Sequence, residues 1–194
     1  MKAYLFSKGE TTTELAKWSL DRLGFEVILI HDTNTTFFDK YKIFLEKAVE
    51  SKDEIVIRAD ADVIVHKNFK DLLDNFIEQY EVMKDEEIWW ACGRAFCFLK
   101  METIDTAPQI IARPALLSAL ANLDRFKNES RPETELTRIP EFFDPRRFEA
   151  IDIFVGVHGY KQSQDDIDRV IEQKKTRKQF QKWDHDFINK LKEF

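Results

Sequence analysis

The run Ile55-Val56-Ile57-Arg58-Ala59-Asp60-Ala61-Asp62-Val63-Ile64-Val65 places two carboxylates at the end of a short apolar strand. Reading upstream, Ala3-Tyr4-Leu5-Phe6 is a buried strand. Thr11, Thr12 and Thr13 offer N-caps to a helix with Leu15, Trp18, Leu20 and Leu23 on its apolar side, closed by Gly24. Phe25-Glu26-Val27-Ile28-Leu29-Ile30 is a second strand, and residues 33–36 turn the chain. Residues 37–51 are a second helix, with Tyr41, Phe44, Leu45 and Ala48 at helical spacing. Residues 1–62 therefore read β-α-β-α-β. Helices of this length between strands predict a parallel sheet with right-handed crossovers. In such sheets ligands bind beyond the C-terminal ends of the strands, where Asp60 and Asp62 fall.

Downstream, Val63-Ile64-Val65 is a short apolar stretch, and a helix follows from Asn68 or Asp71 through Leu72, Leu73, Phe76 and Ile77. Residues 88–91 and 95–99 read as strand with a kink at Gly93, and Gln109-Ile110-Ile111-Ala112 as another strand. Pro114 opens a helix over 115–123 at a tolerated first-turn position. A short helix is predicted over 132–139, a last strand over 151–157 and a charged helical tail over 165–194. No internal repeat and no linker interrupts the pattern. At 194 residues the chain is expected to form one domain. It divides into a half over 1–100 that carries the paired aspartates, an opposite half over 101–164, and the tail.

Composition narrows the functional classes. Apolar residues reach 43%, which supports a real core, and the net charge of −6 disfavours a protein that coats nucleic acid. Five glycines leave no GxGxxG and no GxxxxGK[ST], so the common phosphate-cradling loops are missing. Cys92 and Cys97 cannot build a disulfide framework and read as buried thiols in a reducing compartment, so the expected location is the cytoplasm. The N-terminal apolar run is too short for a signal peptide, and no stretch approaches transmembrane length.

Burying two unpaired carboxylates at a strand end is costly. A hard divalent cation that also ligates phosphate oxygens removes that cost, which makes Asp60 and Asp62 candidate ligands for Mn²⁺ or Mg²⁺. The alternative is two solvated aspartates in a turn. The late segment Val155-Gly156-Val157-His158-Gly159-Tyr160-Lys161 offers a histidine flanked by glycines, and borderline metals accept imidazole beside carboxylates. His158 is therefore a third candidate ligand.

Placed after a β-α-β-α-β beginning, Asp60-Ala61-Asp62-Val63-Ile64-Val65-His66-Lys67-Asn68-Phe69-Lys70-Asp71-Leu72-Leu73 resembles the DxD region of the GT-A glycosyltransferases. The resemblance implies an α/β fold, a mostly parallel central sheet with helices on both faces. It implies a metal-dependent transfer of a sugar from a nucleoside-diphosphate sugar (a UDP-, GDP- or dTDP-sugar) to a hydroxyl of a glycan, lipid or protein acceptor. In that pattern Asp60 approaches the sugar or ribose and Asp62 holds the metal that bridges the diphosphate. Lys40 or Lys42, on the helix before the DxD, would lie near the nucleotide, and Asp32 would hydrogen-bond it. His158 would complete the metal site. Lys161 would grip the diphosphate, although His158-Gly159-Tyr160-Lys161 is shorter than the family's usual pattern and lacks its Pro-Trp. Arg131-Pro132-Glu133-Thr134-Glu135-Leu136-Thr137-Arg138 is similar to the helix start from which inverting members present a base. Glu133 matches that base and Glu135 is its neighbour, with Pro132 standing where the family has a second acid.

Other readings share parts of this pattern. A haloacid-dehalogenase-like phosphatase also has a DxD after an apolar strand, but after its first strand rather than its third. A nucleotidyltransferase shares the sheet but wants a Gly- and basic-rich first loop, for which Ser7-Lys8-Gly9-Glu10 is slight. A non-catalytic nucleotide-sugar-binding subunit would not need Asp60, Asp62 and His158 together. The tail, with Arg169, Lys174, Lys175, Arg177, Lys178 and Lys182 among apolar residues, is expected to pack as a helix, cover the donor site or touch a membrane surface.

Overall fold

The computed structural model describes residues 1–31, 36–83, 90–97, 102–128 and 148–159, together with 165 and 168. The elements are β1 (Lys2–Ser7), α1 (Thr13–Asp21), β2 (Glu26–His31), α2 (Phe37–Ser51), β3 (Ile55–Asp60), β4 (Val63–Val65), α3 (Phe69–Met83), β5 (Trp90–Cys97), β6 (Glu102–Ala112), α4 (Arg113–Asn122) and β7 (Phe148–His158). They build a seven-stranded sheet in the order β2-β1-β3-β6-β5-β7-β4. β1 pairs parallel to β2 and β3, and β5 parallel to β7. β6 is antiparallel to β3 and β5, and β4 is antiparallel to β7. Thus β1, β2, β3, β5 and β7 share one direction, and β6 and β4 run against it. The expected mostly parallel α/β sheet is present.

Strand alternation divides the core into two layers. Ala3, Leu5, Ile55, Ile57 and Ala59 face α1 and α3, where Leu20, Phe69, Leu72 and Phe76 bury fully or nearly so. Tyr4, Phe6, Val56 and Ile111 face α2 and α4. On that side the ring of Phe44 meets Tyr4 edge-on at 5.2 Å and Phe6 at 5.6 Å. The helical spacing read in α2 holds, since Tyr41, Phe44, Leu45 and Ala48 are all buried. Its start is fixed by a capping box: the Asp39 amide donates to Thr36 Oγ1, and the Thr36 amide donates to Asp39 Oδ2.

Three expectations change. α1 buries Thr13, Ala16, Ser19 and Leu20, while Leu15 and Trp18 are exposed and the Arg22 guanidinium lies over the Trp18 ring at 4.7 Å. Small side chains let α1 approach β4 closely enough for Ser19 Oγ to accept the Val65 amide at 3.0 Å. Apolar periodicity alone favoured the larger residues. Second, β6 begins at Glu102 rather than Gln109, because pairing with β5 from Cys97↔Glu102 onward satisfies its backbone whatever the side chains. Third, β7 begins at Phe148, with β5 as its parallel neighbour. The kink expected at Gly93 is a register shift in β5. A Cβ on Gly93 would strike Val155 Cγ1. The predicted helix over 132–139 and nearly all of the tail lie outside the described residues. No described helix is long and apolar enough to cross a membrane.

Candidate functional site

Because β1, β3, β5 and β7 run the same way, their C-terminal ends meet on one edge of the sheet. That edge carries Ser7, Asp60, Cys97 and His158. β4 runs against them, so its start, next to Asp62, lies on the same edge. The pairing Val63↔His158 brings Asp62 to the end of β7, and the Gly159 amide donates to the Asp62 carbonyl at 2.8 Å.

The side chains follow this register. His158 Nε2 lies 3.1 Å from Asp62 Oδ2, each side chain about one-fifth exposed (21% and 22%). The other ring nitrogen, Nδ1, is 3.1 Å from Cys97 Sγ. Asp62 Oδ1 is buried and meets no hydrogen-bond donor among the described residues. Burial pushes the Asp62 carboxyl up, but the His158 charge and hydrogen bond, a backbone amide and the Arg58 charge outweigh it and hold the carboxyl below its ordinary range. Burial likewise pushes the His158 imidazole down. Asp62 and the Cys97 contact reverse this and hold it well above 6.5.

Asp60 is organised separately. Arg58 Nη2 donates to Asp60 Oδ1 at 2.8 Å, and Arg58 Nη1 to Gln109 Oε1 at 3.0 Å. The guanidinium lies over the rings of Phe6 (4.9 Å) and Phe37 (5.6 Å) and is 5% exposed. Each aspartate of the pair therefore has its own cationic neighbour. The cost of two carboxylates at this strand end is thus met in part by the protein's own cations. The sequence sign of this pairing is a cation inside the apolar run Ile57-Arg58-Ala59.

The β1–α1 loop is tied to the same edge. The Thr12 hydroxyl donates to the Ala61 carbonyl at 2.7 Å, and the Ala61 amide to the Phe6 carbonyl at 2.8 Å. The residue between the two aspartates is thus gripped from both sides. Within the loop Glu10 Oε2 accepts from the Ser7 hydroxyl and the Lys8 amide. Thr12, read from sequence as one of three caps, makes no side-chain cap and is instead a fastening of the Asp60-Ala61-Asp62 turn.

The two lysines separate. Lys40 is buried, and its Nζ donates to the Ser7 carbonyl at 2.7 Å. Lys42, two residues on, is on the solvent face, 4.0 Å from Glu46. The structure therefore pairs Asp62 with His158, and holds Asp60 through Arg58 at the same end of the sheet, with Lys40 beneath the β1 end. Lys42 is not among them. Asp32, Glu133, Glu135 and Lys161 lie outside the described residues.

Asp62 and His158 are a carboxylate and imidazole donor set suited to Mn²⁺ or another borderline to hard divalent cation, and the orphaned Oδ1 gives such an ion a buried oxygen to satisfy. Among the described residues no group of three or more His, Cys, Asp and Glu forms a ready ligand cage.

The contact has a pH signature. A raised imidazole stabilises the fold fully below about pH 6.5 and loses that contribution as pH rises through its higher folded value. The depressed Asp62 carboxyl contributes above the ordinary carboxylate range and loses it as pH falls through its lower folded value. The gap in urea midpoint between wild type and His158→Gln is expected to be widest from about pH 5 to 6.5 and to shrink above that. A gap that stays constant up to about pH 9 would contradict the pairing.

Comparison with solved structures places the sheet. A glycosyltransferase involved in the glycosylation of the major capsid of PBCV-1 superposes with a TM-score of 0.54 at 15% identity, over 89% of this chain and 99% of that one. The 4-diphosphocytidyl-2C-methyl-D-erythritolsynthase from Anaerococcus prevotii superposes with a TM-score of 0.51 at 11% identity, over 85% and 91%. The fold is that of the nucleotide-diphospho-sugar transferases. No family model and no curated protein sequence matches the chain. Asp60, Asp62 and His158 lie at the C-terminal ends of the parallel strands, the side on which open α/β sheets generally bind ligands.

Proposed function

We propose that this chain is a metal-assisted glycosyltransferase that moves a sugar, with inversion, from a nucleoside-diphosphate sugar to an acceptor hydroxyl. The observation that carries the reading is the meeting of Asp62 and His158 at the C-terminal ends of the strands, with one Asp62 oxygen buried and meeting no donor among the described residues. Mn²⁺ or Mg²⁺, held by Asp62 and His158 with Asp60 alongside, would neutralise the charge that develops on the departing nucleoside diphosphate.

The chain's own groups do the rest. Arg58 holds Asp60 by Oδ1, so a sugar or ribose hydroxyl meets a carboxylate of set orientation. Thr12 and Phe6 fasten Ala61 and so hold the turn that presents both aspartates. Lys40 Nζ donates to the Ser7 carbonyl and so shapes the first loop. Lys161 is assigned to the diphosphate and Asp32 to the nucleotide. Glu133, with Glu135 beside it, takes the acceptor proton as the hydroxyl attacks. The acceptor is a glycan, lipid or protein hydroxyl.

The shared fold also supports a second reading, nucleotidyl transfer, in which the leaving group is pyrophosphate. One experiment separates them. Mn²⁺ followed by UDP-, GDP- and dTDP-sugars is titrated into the protein, and slow donor hydrolysis is monitored. Binding of at least one donor only when Mn²⁺ is present, with release of free sugar, is the expected result. Absence of metal-dependent binding to any donor sinks the reading. Pyrophosphate released from a nucleoside triphosphate and a sugar phosphate would favour the second.

A further inference from the structure

We propose that Cys97 is a positioning residue that sets the ring of His158, so that Nε2 faces Asp62. The inference rests on the assignment of Asp62 and His158 to the metal and extends it to a residue that motif reading passes over.

The backbone dictates the arrangement. Cys97 and His158 are register partners of the parallel β5–β7 pair, so their side chains leave the sheet on the same face as neighbours. His158 is also the register partner of Val63 in β4, the residue after Asp62. The imidazole is thus bracketed in one line: Cys97 Sγ at 3.1 Å from Nδ1, and Asp62 Oδ2 at 3.1 Å from Nε2. Cys97 is 1% exposed and in no disulfide. A thiol so enclosed has no access to an external electrophile, and its contact with His158 is local and directional.

The contact restrains a specific freedom. Imidazole rotates about its ring bond and exchanges its proton between two nitrogens, and a histidine ligand is useful only with the intended nitrogen free. When a cation takes Nε2, Nδ1 keeps its hydrogen and donates it, and sulfur is a weak acceptor suited to that position. In histidine metal sites the partner of the second nitrogen is usually a carboxylate or backbone carbonyl, and its removal typically costs about 10- to 100-fold in metal affinity. Here a buried thiol holds that place. It adds no negative charge while protonated, which leaves the Asp62 carboxylate as the charged member of the line.

The test uses the full chain with ¹⁵N-labelled histidine and Mn²⁺ alone as the titrant. Cys97→Ser keeps a hydroxyl that can meet Nδ1, and Cys97→Ala removes the partner; thermal unfolding of each variant confirms the fold. The two ring-nitrogen signals of His158, read without metal at a pH high enough for the ring to be neutral, are expected to stay distinct and near wild type in the serine variant and to shift toward an averaged pair in the alanine variant. Mn²⁺ affinity is expected to fall about tenfold or more in Cys97→Ala and to return to within a few-fold of wild type in Cys97→Ser. Cobalt substitution is expected to show no thiolate-to-metal charge-transfer band, because Cys97 faces the nitrogen away from the ion. Unchanged ring signals and unchanged affinity in folded Cys97→Ala would overturn the proposal, as would a thiolate band, which would make Cys97 a direct ligand. If wild type binds no Mn²⁺, the metal reading fails while the ring-nitrogen comparison still decides whether Cys97 orients His158.

Discussion

Replacing Asp62 by asparagine or alanine is expected to reduce Mn²⁺ affinity, and with it metal-dependent nucleoside-diphosphate binding, by at least about 100-fold. The estimate comes from the position of the side chain. Outer partners of a metal-bound histidine are already worth about 10- to 100-fold, and Asp62 is the charged member of the donor set. Its Oδ2 meets His158 Nε2, and its Oδ1 is buried with no donor among the described residues. Asparagine keeps the shape and removes the charge, so a loss in that variant reports electrostatics rather than packing. Calorimetric titration with Mn²⁺, then with a nucleoside diphosphate, measures it. A parallel titration of Asp60→Asn is expected to show the smaller metal defect, since Asp60 is held by Arg58 on the α2 side of the sheet. Wild-type Mn²⁺ affinity in Asp62→Asn would remove the metal reading of the pair.

The second large effect is expected from Gly156→Ala. Gly156 pairs with Val65 in β4 on one side and Ala95 in β5 on the other. A Cβ at this position would land on the Ile64 carbonyl oxygen, with Val65 Cα at 3.2 Å. Backbone cannot swing aside as a flexible side chain can, so β4 must separate from β7. The expected loss is about 3 kcal/mol or more, at the upper end of overpacking costs. The damage should also reach the site, because β4 follows directly on Asp62 and β7 ends on His158. Urea unfolding measures the first effect and Mn²⁺ titration the second. Gly24→Ala is the natural comparison. Gly24 has φ +86° with nothing within 4 Å of a built Cβ, so alanine there meets backbone strain of about 1–2 kcal/mol but no clash. Its Mn²⁺ affinity is expected to match wild type. If Gly156→Ala proved no less stable than Gly24→Ala, the close β4–β7 approach would be wrong.

The glycines beside His158 show how a sequence signal can point correctly for an incomplete reason. Gly156 and Gly159 bracket His158 in the sequence and mark it as a candidate ligand. Gly156 is required by the close passage of β4. Gly159 has φ +72° and donates its amide to the Asp62 carbonyl. Cys97 shows the opposite case. Nothing local in Arg94-Ala95-Phe96-Cys97 predicts a contact with a residue 61 positions later. Buried thiols are common fillers, and only the β5–β7 register distinguishes this one. Thr12 is similar: three consecutive threonines before a helix read as caps, whereas the hydroxyl of the middle one reaches Ala61.

Sequence alone determined what depends on neighbours along the chain. The 2.0 and 3.6 periodicities of the first 62 residues were enough for β-α-β-α-β, for the face of α2, and for Asp60 and Asp62 at the outgoing end of a strand. Tertiary structure decided what depends on strand order and register. It ran β4 and β6 against the other strands, carried β6 back to polar Glu102, and turned the small side of α1 inward. It also separated Lys40 from Lys42, paired Arg58 with Asp60, and aligned Cys97, His158 and Asp62. The physical reason is the same throughout: periodicity reports which face of an element is apolar, whereas long-range hydrogen bonding chooses which element lies beside it.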